Sequence, residues 1–276
     1  MIGAKTKICL VIGDPIEHSL SPLMHNVGYK ALGIDDKFVF LGVRVKIEEL
    51  KNIKTAIKTL KIRGVSCTMP HKVKIMKYLD EIEESAREIG AVNTVLNENQ
   101  KLIGYNTDWI GAQKAIEKKT RIKGKRVGII GAGGAAKAIV YGVKKKGGKI
   151  KVFNIDLKEA ENLAKNFQVE IGSFKDLNEL KNFDIIINAT PLGMPPYQGI
   201  SPLPKEVFSK HQVVMDAVYI PYKTKMLREA EKRGAKIIPG IEMLFWQGVA
   251  QFKLYTKRNP PLDAMRSALI NYFKKS

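Results

Sequence analysis

A run of small residues at positions 131–136 has the spacing of a turn that binds a pyrophosphate. It reads Gly131-Ala-Gly133-Gly134-Ala-Ala136 and matches the pattern G-x-G-x-x-A. Gly131 permits a tight turn, Gly133 lets backbone amides approach an anion, and Ala136 keeps the following helix close to its strand. Because glycine turns between strands and helices are common, the pattern alone is a weak indication of a dinucleotide site.

The segments on either side of this turn strengthen the prediction. Residues 127–130 form a short apolar run rich in β-branched side chains, which is typical of a buried strand. An alanine-rich helical stretch follows to about Lys145, and residues 150–154 again have the composition of a strand. The amides at the start of such a helix point at a bound anion. This strand–helix–strand unit therefore predicts dinucleotide binding.

Polar side chains that could bind a ligand or exchange a proton lie at predicted strand ends and loops in the first part of the chain. α/β proteins place their ligand sites at strand ends. The candidates are Ser19, Ser21, Thr68, Lys72, Asn93 and Asp108. Each also has an ordinary explanation, because serines before a helix often cap it, a lysine in a first turn is usually solvated, and Asp108 is an acceptable N-cap. Taken singly, the residues favour the ordinary explanations.

Alternating strand and helix patterns place these side chains in an α/β domain with a mixed sheet. The sequence predicts strands over 7–13, 38–45 and 65–69, and a helix over 48–63. Residues 91–96 and 102–107 indicate a hairpin, after which a helix starts at Asp108. A second alternation of strands and helices begins at 127. No Gly/Ser-rich linker separates the two, so the helix after Asp108 is the predicted boundary.

The composition argues against a metal site, a membrane-spanning segment and a nucleic-acid partner. The four histidines include no H-E-x-x-H pattern, and the two cysteines, Cys9 and Cys67, are far apart in the sequence, so we expect no metal site. Two cysteines are too few for a disulfide scaffold and are typical of a protein of the reducing cytosol. No apolar run is long enough to cross a bilayer and the N-terminus lacks a signal-peptide pattern, so we expect a cytoplasmic protein without a membrane partner. The net charge of +20 comes mostly from scattered lysines, which favours a solvated basic surface and no nucleic-acid partner.

Eight short motifs occur in order over nearly the whole chain. The first four are Ser19-Leu-Ser21-Pro22, Gly64-Val-Ser-Cys-Thr68-Met-Pro70-His-Lys72, Gly90-Ala-Val-Asn93-Thr94 and Asn106-Thr107-Asp108. The last four are Gly131-Ala-Gly-Gly-Ala135, Asn188-Ala-Thr190-Pro191-Leu-Gly193-Met194, Asp216-Ala-Val-Tyr219-Ile-Pro221 and Gly240-Ile-Glu-Met-Leu-Phe-Trp-Gln247. Together they resemble the signatures of the shikimate dehydrogenase family.

The resemblance implies a two-domain α/β enzyme with its active cleft between the domains. A substrate-binding catalytic domain with a mixed sheet would comprise residues 1–108 plus 246–276, because the C-terminal helices return to it. A Rossmann-type, doubly wound NADP-binding domain would comprise residues 109–245. The implied reaction is the reversible, NADPH-dependent reduction of 3-dehydroshikimate to shikimate, in chorismate and aromatic amino acid biosynthesis. The partner would be this small-molecule substrate, and the enzyme would be a monomer or homodimer.

The resemblance also implies roles for single residues. Lys72 and Asp108 would be the catalytic pair beside the reacting oxygen. Ser19, Ser21 and Tyr219 would hold the substrate carboxylate. Thr68, Asn93, Asp108 and Gln247 would hold the ring hydroxyls, and Lys72 would also contact the substrate. The cofactor-binding residues would be Gly131, Ala132, Gly133, Gly134, Ala135, Asn154, Ile155, Asp156, Lys158, Thr190, Ala217 and Gly240.

Two departures from the family pattern change polar side chains. Ser66 stands where many members have asparagine, which shortens that side chain. Asn154-Ile155-Asp156 stands where NADP-using relatives often have Asn-Arg-Thr, so the arginine for a 2′-phosphate is absent. Asn154 is neutral and Lys158 is nearby, whereas Asp156 could turn in and repel the phosphate.

We therefore expect NADP(H) to be preferred over NAD(H) by a modest, salt-sensitive margin, with NAD possible. A quinate/shikimate dehydrogenase that uses NAD or NADP is one alternative function. A non-catalytic dinucleotide sensor is a more distant one.

Overall fold

The structure, a computed structural model, describes residues 2–275. The chain divides into two compact units. The first unit is made of the residues up to Thr107 and those from Gln247 onward, and the second runs from Asp108 to Trp246.

In the part of the chain that the structure describes, no helix is long and apolar enough to cross a membrane. No group of three or more His, Cys, Asp or Glu among those residues could hold a metal ion.

A mixed sheet of six strands forms the centre of the first unit. The strands are β1 Lys7–Gly13, β2 Phe38–Arg44, β3 Gly64–Cys67, β4 Glu81–Ile82, β5 Thr94–Glu98 and β6 Lys101–Tyr105. Their order across the sheet is β2-β1-β3-β5-β6-β4. Strands β1, β2 and β3 are parallel, whereas β5 is antiparallel to both β3 and β6. The predicted mixed sheet and its hairpin are confirmed.

Four helices of the first unit lie between these strands: α1 Ser21–Ala31, α2 Ile53–Thr59, α3 His71–Lys74 and α4 Glu84–Ile89. The helix predicted over 48–63 is wrong in length, since α2 is preceded by a 3-10 turn over Glu49–Asn52 and ends before Lys61. Lys61 has φ 50, a left-handed conformation that ends a helix. Helix α4 was not predicted; the Glu83 side chain caps its start, and Gly90 with φ 68 ends it.

A parallel sheet of six strands forms the centre of the second unit. The strands are β7 Arg126–Ile130, β8 Lys149–Asn154, β9 Glu170–Ser173, β10 Ile185–Asn188, β11 Val213–Asp216 and β12 Lys236–Ile238. Their order is β12-β11-β10-β7-β8-β9, which is the 3-2-1-4-5-6 order of doubly wound dinucleotide-binding sheets, counted from β7 as 1. The strand order reverses between β7 and β10. The predicted Rossmann-type architecture is confirmed.

The remaining helices are α5 Asp108–Glu117, α6 Gly134–Lys145, α7 Leu157–Phe167, α8 Lys225–Lys232, α9 Gly240–Thr256 and α10 Leu262–Lys275. Helix α9 contributes to both units, because the division falls between Trp246 and Gln247. Helices α5 and α6 pack closely, since a Cβ atom on Gly142 would lie 2.9 Å from the carbonyl oxygen of Trp109. Glycine at 142 therefore permits this approach.

The second half of α9 completes the core of the first unit. Its buried side chains Phe252 and Tyr255 pack with the buried rings of Tyr29 and Phe40. His25 lies within this aromatic cluster, with its ring stacked on Phe40 at 4.3 Å between centroids. The first unit thus depends on apolar area from both ends of the chain.

Candidate active site

Three strand ends meet at one edge of the first unit's sheet. Strands β1 and β3 are parallel, with Ile12 opposite Cys67, so both end at this edge. The N–H of Thr68 donates to the carbonyl oxygen of Ile12 at 3.0 Å, and the N–H of Cys67 donates to that of Asn93 at 2.8 Å. The residues that follow β1, those that follow β3 and those that precede β5 therefore lie next to one another at this edge.

The buried side chain of Asn93 has a single amide orientation. The backbone N–H of Thr107 lies 2.7 Å from Oδ1 of Asn93, and because a backbone N–H can only donate, that atom is the oxygen. The Thr94 hydroxyl donates to the same oxygen at 2.7 Å. The amide nitrogen donates to Oγ1 of Thr107 at 3.0 Å and to Oε1 of Gln247 at 3.4 Å. Two predicted substrate-binding residues, Asn93 and Gln247, are thereby brought together.

Backbone hydrogen bonds hold Lys72 next to this group. Lys72 is the second residue of α3 and is half-buried. Its carbonyl oxygen accepts from the N–H of Val92 at 2.8 Å, and the carbonyl oxygen of Ala91 accepts from Nδ2 of Asn106 at 2.8 Å. These bonds fix the segment before β5 between α3 and the residues after β6, so the position of Lys72 is set relative to Asn93.

Two serines lie at the start of α1: Ser19 in the loop before it and Ser21 as its first residue. Leu20 occupies the N-cap of α1, so neither Ser19 nor Ser21 is the N-cap residue. The N–H of Ser21 lies 3.4 Å from Oγ of Ser19, which accepts from it, and Ser21 is buried. Neither serine is thus the N-cap residue, although Ser19 accepts the first N–H of α1, and the hydroxyl groups of both remain candidates for donating to an anion.

The predicted site residues divide between the two units. Asp108 is the buried first residue of α5, and Tyr219 is half-buried just after β11; both belong to the second unit. The first unit carries the other six predicted substrate residues: Ser19, Ser21, Thr68, Lys72, Asn93 and Gln247.

The glycine turn after β7 lies where the strand order of the second unit reverses. Gly131 has φ 107, and a Cβ atom there would lie 3.1 Å from the carbonyl carbon and oxygen of Ala189 after β10. Gly133 is the N-cap of α6, and a Cβ there would meet nothing within 4 Å. Ala136 is fully buried in the core. The amides at the start of α6 are thus set for a pyrophosphate, and Ala132, Gly134 and Ala135 lie in the same turn.

A buried polar network that was not predicted holds the ends of β10 and β11. The carboxylate of Asp216 accepts from Nδ2 of Asn188 at 2.9 Å, from the N–H of Val218 at 2.9 Å and from the Thr224 hydroxyl at 2.7 Å. Burial raises the pKa of Asp216 to about 7. The hydroxyl of Thr190 donates to Oδ1 of Asn188 at 2.7 Å. An Asn and an Asp as the last residues of neighbouring strands are the sequence signal for this network.

Two further predicted cofactor residues lie against one another. Gly240 begins α9, and a Cβ atom there would lie 2.7 Å from the carbonyl oxygen of Ala217 and would also overlap the carbonyl group of Val218. Only glycine allows the start of α9 to approach the loop after β11 this closely. Ala217 and Gly240 therefore share one edge of the parallel sheet.

An unpredicted carboxylate lies at the end of β8. The Nδ2 atom of Asn154 donates to Oε2 of Glu159 at 3.1 Å and to the carbonyl oxygen of Asp156 at 3.0 Å. The Asp156 side chain is the N-cap of α7 and accepts from the N–H of Glu159 at 3.1 Å, so it does not turn toward Asn154. Ile155 and Lys158 are exposed. An N-cap followed three residues later by Glu is a capping-box pattern, which could have revealed Glu159.

Three sequence models of protein families match the chain. "Shikimate dehydrogenase substrate binding domain" covers residues 11–95, "Shikimate / quinate 5-dehydrogenase" covers 112–195 and "Shikimate 5'-dehydrogenase C-terminal domain" covers 240–270. A shikimate dehydrogenase (NADP(+)) of Methanococcus maripaludis is 43% identical over 98% of both chains. The chain belongs to the shikimate dehydrogenase family.

Further similarities extend over the full length. A shikimate dehydrogenase (NADP(+)) of Methanocaldococcus jannaschii is 43% identical over 100% of both chains. A crystal structure of a shikimate dehydrogenase in complex with NADP+ superimposes with a TM-score of 0.93, at 42% identity, over 99% of this chain and 98% of the other.

Proposed function

We propose that the protein is an NADP(H)-dependent shikimate dehydrogenase, which reversibly reduces 3-dehydroshikimate to shikimate for chorismate and aromatic amino acid biosynthesis. The observation that carries this function is the 43% identity to a shikimate dehydrogenase (NADP(+)) over 98% of both chains. The open amide turn after β7 and the polar edge of the first unit support it, because the reaction needs a dinucleotide and a hydroxylated acid.

We propose that the residues 1–108 plus 246–276 form the substrate domain and that 109–245 form the NADP-binding domain. The hydroxyls of Ser19, Ser21 and Tyr219 would donate to the substrate carboxylate, which is the stronger kind of hydrogen bond because the acceptor is charged. The side chains of Thr68, Asn93, Asp108 and Gln247 would bind the ring hydroxyls. The fixed amide of Asn93 supports this assignment, since Thr94 and Thr107 occupy its oxygen and its nitrogen faces Gln247, the other amide assigned to the ring hydroxyls.

The proton chemistry is assigned to Lys72 and Asp108. A bound nicotinamide supplies or accepts the hydride. The Lys72 ammonium would donate a hydrogen bond to the substrate oxygen and stabilise the negative charge that develops on it. A carboxylate paired with a lysine favours the charged lysine and so weakens it as a base. Lys72 would therefore act mainly as an electrostatic stabiliser: in the oxidation of shikimate the hydroxyl proton passes on to water, and in the reduction water returns a proton to the oxygen.

The preference for NADP(H) is proposed to be modest because opposing charges lie at the end of β8. Asn154 is neutral there, and Lys158 and the net charge of +20 favour the more anionic cofactor. Glu159, held on the Asn154 amide at 3.1 Å, opposes a 2′-phosphate. Since these groups are exposed, salt screens their effect.

The deciding experiment follows nicotinamide absorbance with shikimate and either NADP+ or NAD+, at low and high ionic strength. We expect turnover with both, a higher kcat/KM with NADP+, and a smaller margin at high salt. Glu159→Gln should widen the margin, whereas Glu161→Gln, an equal charge change at another exposed position of α7 that points away from Glu159, should change it less. No turnover with either cofactor would refute the dehydrogenase and favour a dinucleotide sensor.

Quinate is the second candidate substrate, because the family model that matches 112–195 includes quinate dehydrogenases. Comparison of kcat/KM for quinate and shikimate decides between them, and we expect shikimate to be preferred. A cytoplasmic location is also proposed, supported by Cys9 and Cys67, which are both buried and form no disulfide among the described residues. Gel filtration would distinguish the monomer from the homodimer.

A further inference from the structure

A chain of buried hydrogen bonds connects α9 to Asn93. The hydroxyls of Tyr255 and Ser66 lie 3.1 Å apart, and Oγ of Ser66 lies 2.9 Å from Oε1 of Gln251. The amide nitrogen of Gln251 lies 2.9 Å from Oγ1 of Thr94, whose hydroxyl donates to Asn93. All five side chains are buried, and Gln251 is only 1% exposed.

The direction of every bond in this chain follows from one backbone group. The N–H of Thr107 identifies Oδ1 of Asn93 as an acceptor, so the Thr94 hydroxyl must donate to it. The atom of Gln251 beside Thr94 must then be the donor nitrogen, which leaves its oxygen to accept from Ser66. The Ser66 hydroxyl has donated its only hydrogen and therefore accepts from Tyr255.

We propose that Gln251 is a positioning residue that sets the affinity of the site for the hydroxyls of its substrate. It orients the Asn93 amide through Thr94, and it anchors α9 to β5 one helical turn beyond Gln247. The proposal rests on the proposed function, since Asn93 and Gln247 are there assigned to the ring hydroxyls.

The pairing of Ser66 with Gln251 supplies a reason for the departure at position 66. Ser66 lies directly opposite Thr94 in the antiparallel pair of β3 and β5. Its short side chain leaves space that the Gln251 amide, reaching in from α9, occupies. A larger amide on β3 would compete with Gln251 for Thr94, so the serine permits the longer connection.

The test is the substitution Gln251→Met, which keeps much of the volume and removes the hydrogen bonds of the amide, including the one that its nitrogen donates to the carbonyl oxygen of Asn93 at 3.4 Å. We expect the KM for shikimate, and its Kd measured by calorimetry with NADPH bound so that no reaction occurs, to rise roughly two- to tenfold, as the loss of one hydrogen bond implies. The KM for NADP+ should stay within about twofold, because the second unit is unchanged.

Gln212→Met is the matched control. Gln212 is a fully buried glutamine of the second unit, with one bond to the carbonyl oxygen of Leu180 at 2.9 Å and one from the N–H of Ser209 at 2.9 Å. It should lower thermal stability but leave the KM for shikimate unchanged. An equal rise of that KM in both variants would overturn the proposal, because a general loss of packing would then explain it.

Gln251→Glu provides a second readout. A protonated carboxyl group can donate to Thr94 and accept from Ser66 as the amide does, whereas a carboxylate cannot donate. We expect the ratio of variant to unsubstituted KM for shikimate to fall as the pH is lowered. A ratio equally raised at every pH would overturn the proposal, whereas a ratio near one at every pH would support it, because burial would then keep the carboxyl group protonated.

The outcomes also separate this proposal from the function on which it rests. If the unsubstituted protein turns over no shikimate, both fail. If it turns over shikimate and Gln251→Met keeps the same KM and Kd, only the positioning role fails.

Discussion

The acid sensitivity of the first unit should depend on His25. This side chain is completely buried, and neither ring nitrogen makes a hydrogen bond of good geometry among the described residues, although Gln251 beside it partly offsets the effect of burial on its pKa. Burial lowers the pKa of His25 to about 3, from a usual value of 6.5. The unfolded chain therefore binds a proton below pH 6.5 that the folded one does not. By linkage, the neutral His25 does not lower the free energy of unfolding above that pH, and this free energy falls as the pH decreases from 6.5 toward about 3.

The size of this loss follows from the two pKa values. At about pH 4.5 the unfolded imidazole is charged and the folded one is neutral, which costs about 2.7 kcal/mol at about 1.4 kcal/mol per pH unit. His25→Phe keeps an aromatic ring against Phe40 and removes the titration. A leucine variant, His25→Leu, provides the same test if the larger ring strains the core.

Urea unfolding of both proteins at about pH 7.5 and about pH 4.5 measures the effect. Titration of carboxyl groups is common to both proteins and cancels in the difference of the two losses. We expect the unsubstituted protein to lose about 2–3 kcal/mol more than the variant between the two pH values. Equal losses in the two proteins would refute the assignment of a buried, neutral His25.

Four further predictions concern single residues of the candidate site. Lys72→Ala should fold and bind cofactor, while kcat falls far more than KM rises; near-normal kcat would contradict its role. Asp108→Asn should lower both kcat and substrate affinity, and turnover unchanged across pH would count against a working pair. Ser21→Ala should raise the KM for shikimate roughly ten- to a hundredfold, as expected for one hydrogen bond to a charged group, with cofactor KM little changed. Gly131→Ala should lower the free energy of unfolding by about 1–3 kcal/mol, because φ is 107 there and the backbone of Ala189 lies close. Gly133→Ala should preserve stability and weaken only cofactor binding, because a Cβ atom there meets nothing within 4 Å. Equal melting temperatures of the two variants would contradict this.

The dinucleotide turn could be predicted from the sequence because its constraints are local. A positive φ at Gly131 and the tight packing of Ala136 restrict both positions to small residues, and the spacing of those residues is visible in six letters. The length of α2 could not be predicted in this way. Apolar periodicity continues past Thr59, whereas the helix ends because the backbone of Lys61 turns left-handed.

The candidate substrate site was predictable only through the resemblance to a family. Serine, threonine and asparagine at loop positions have common structural roles, so their types alone do not distinguish a site. Its supporting contacts were missed because their partners are distant in sequence: Ser66 and Gln251 are 185 residues apart. Such a pair leaves no local pattern, and only the folded chain brings the two together.

The insertion of the second unit into the first imposes an order on synthesis. Residues 108–246 are contiguous, so this unit can fold as soon as it leaves the ribosome. The first unit must wait for α9, because Tyr29 and Phe40 have their aromatic partners Phe252 and Tyr255 there. We expect proteases acting on ribosome-bound chains to spare the second unit before the first. A chain released after Trp246 would therefore carry a folded second unit and an exposed apolar core of the first, a substrate for degradation and aggregation.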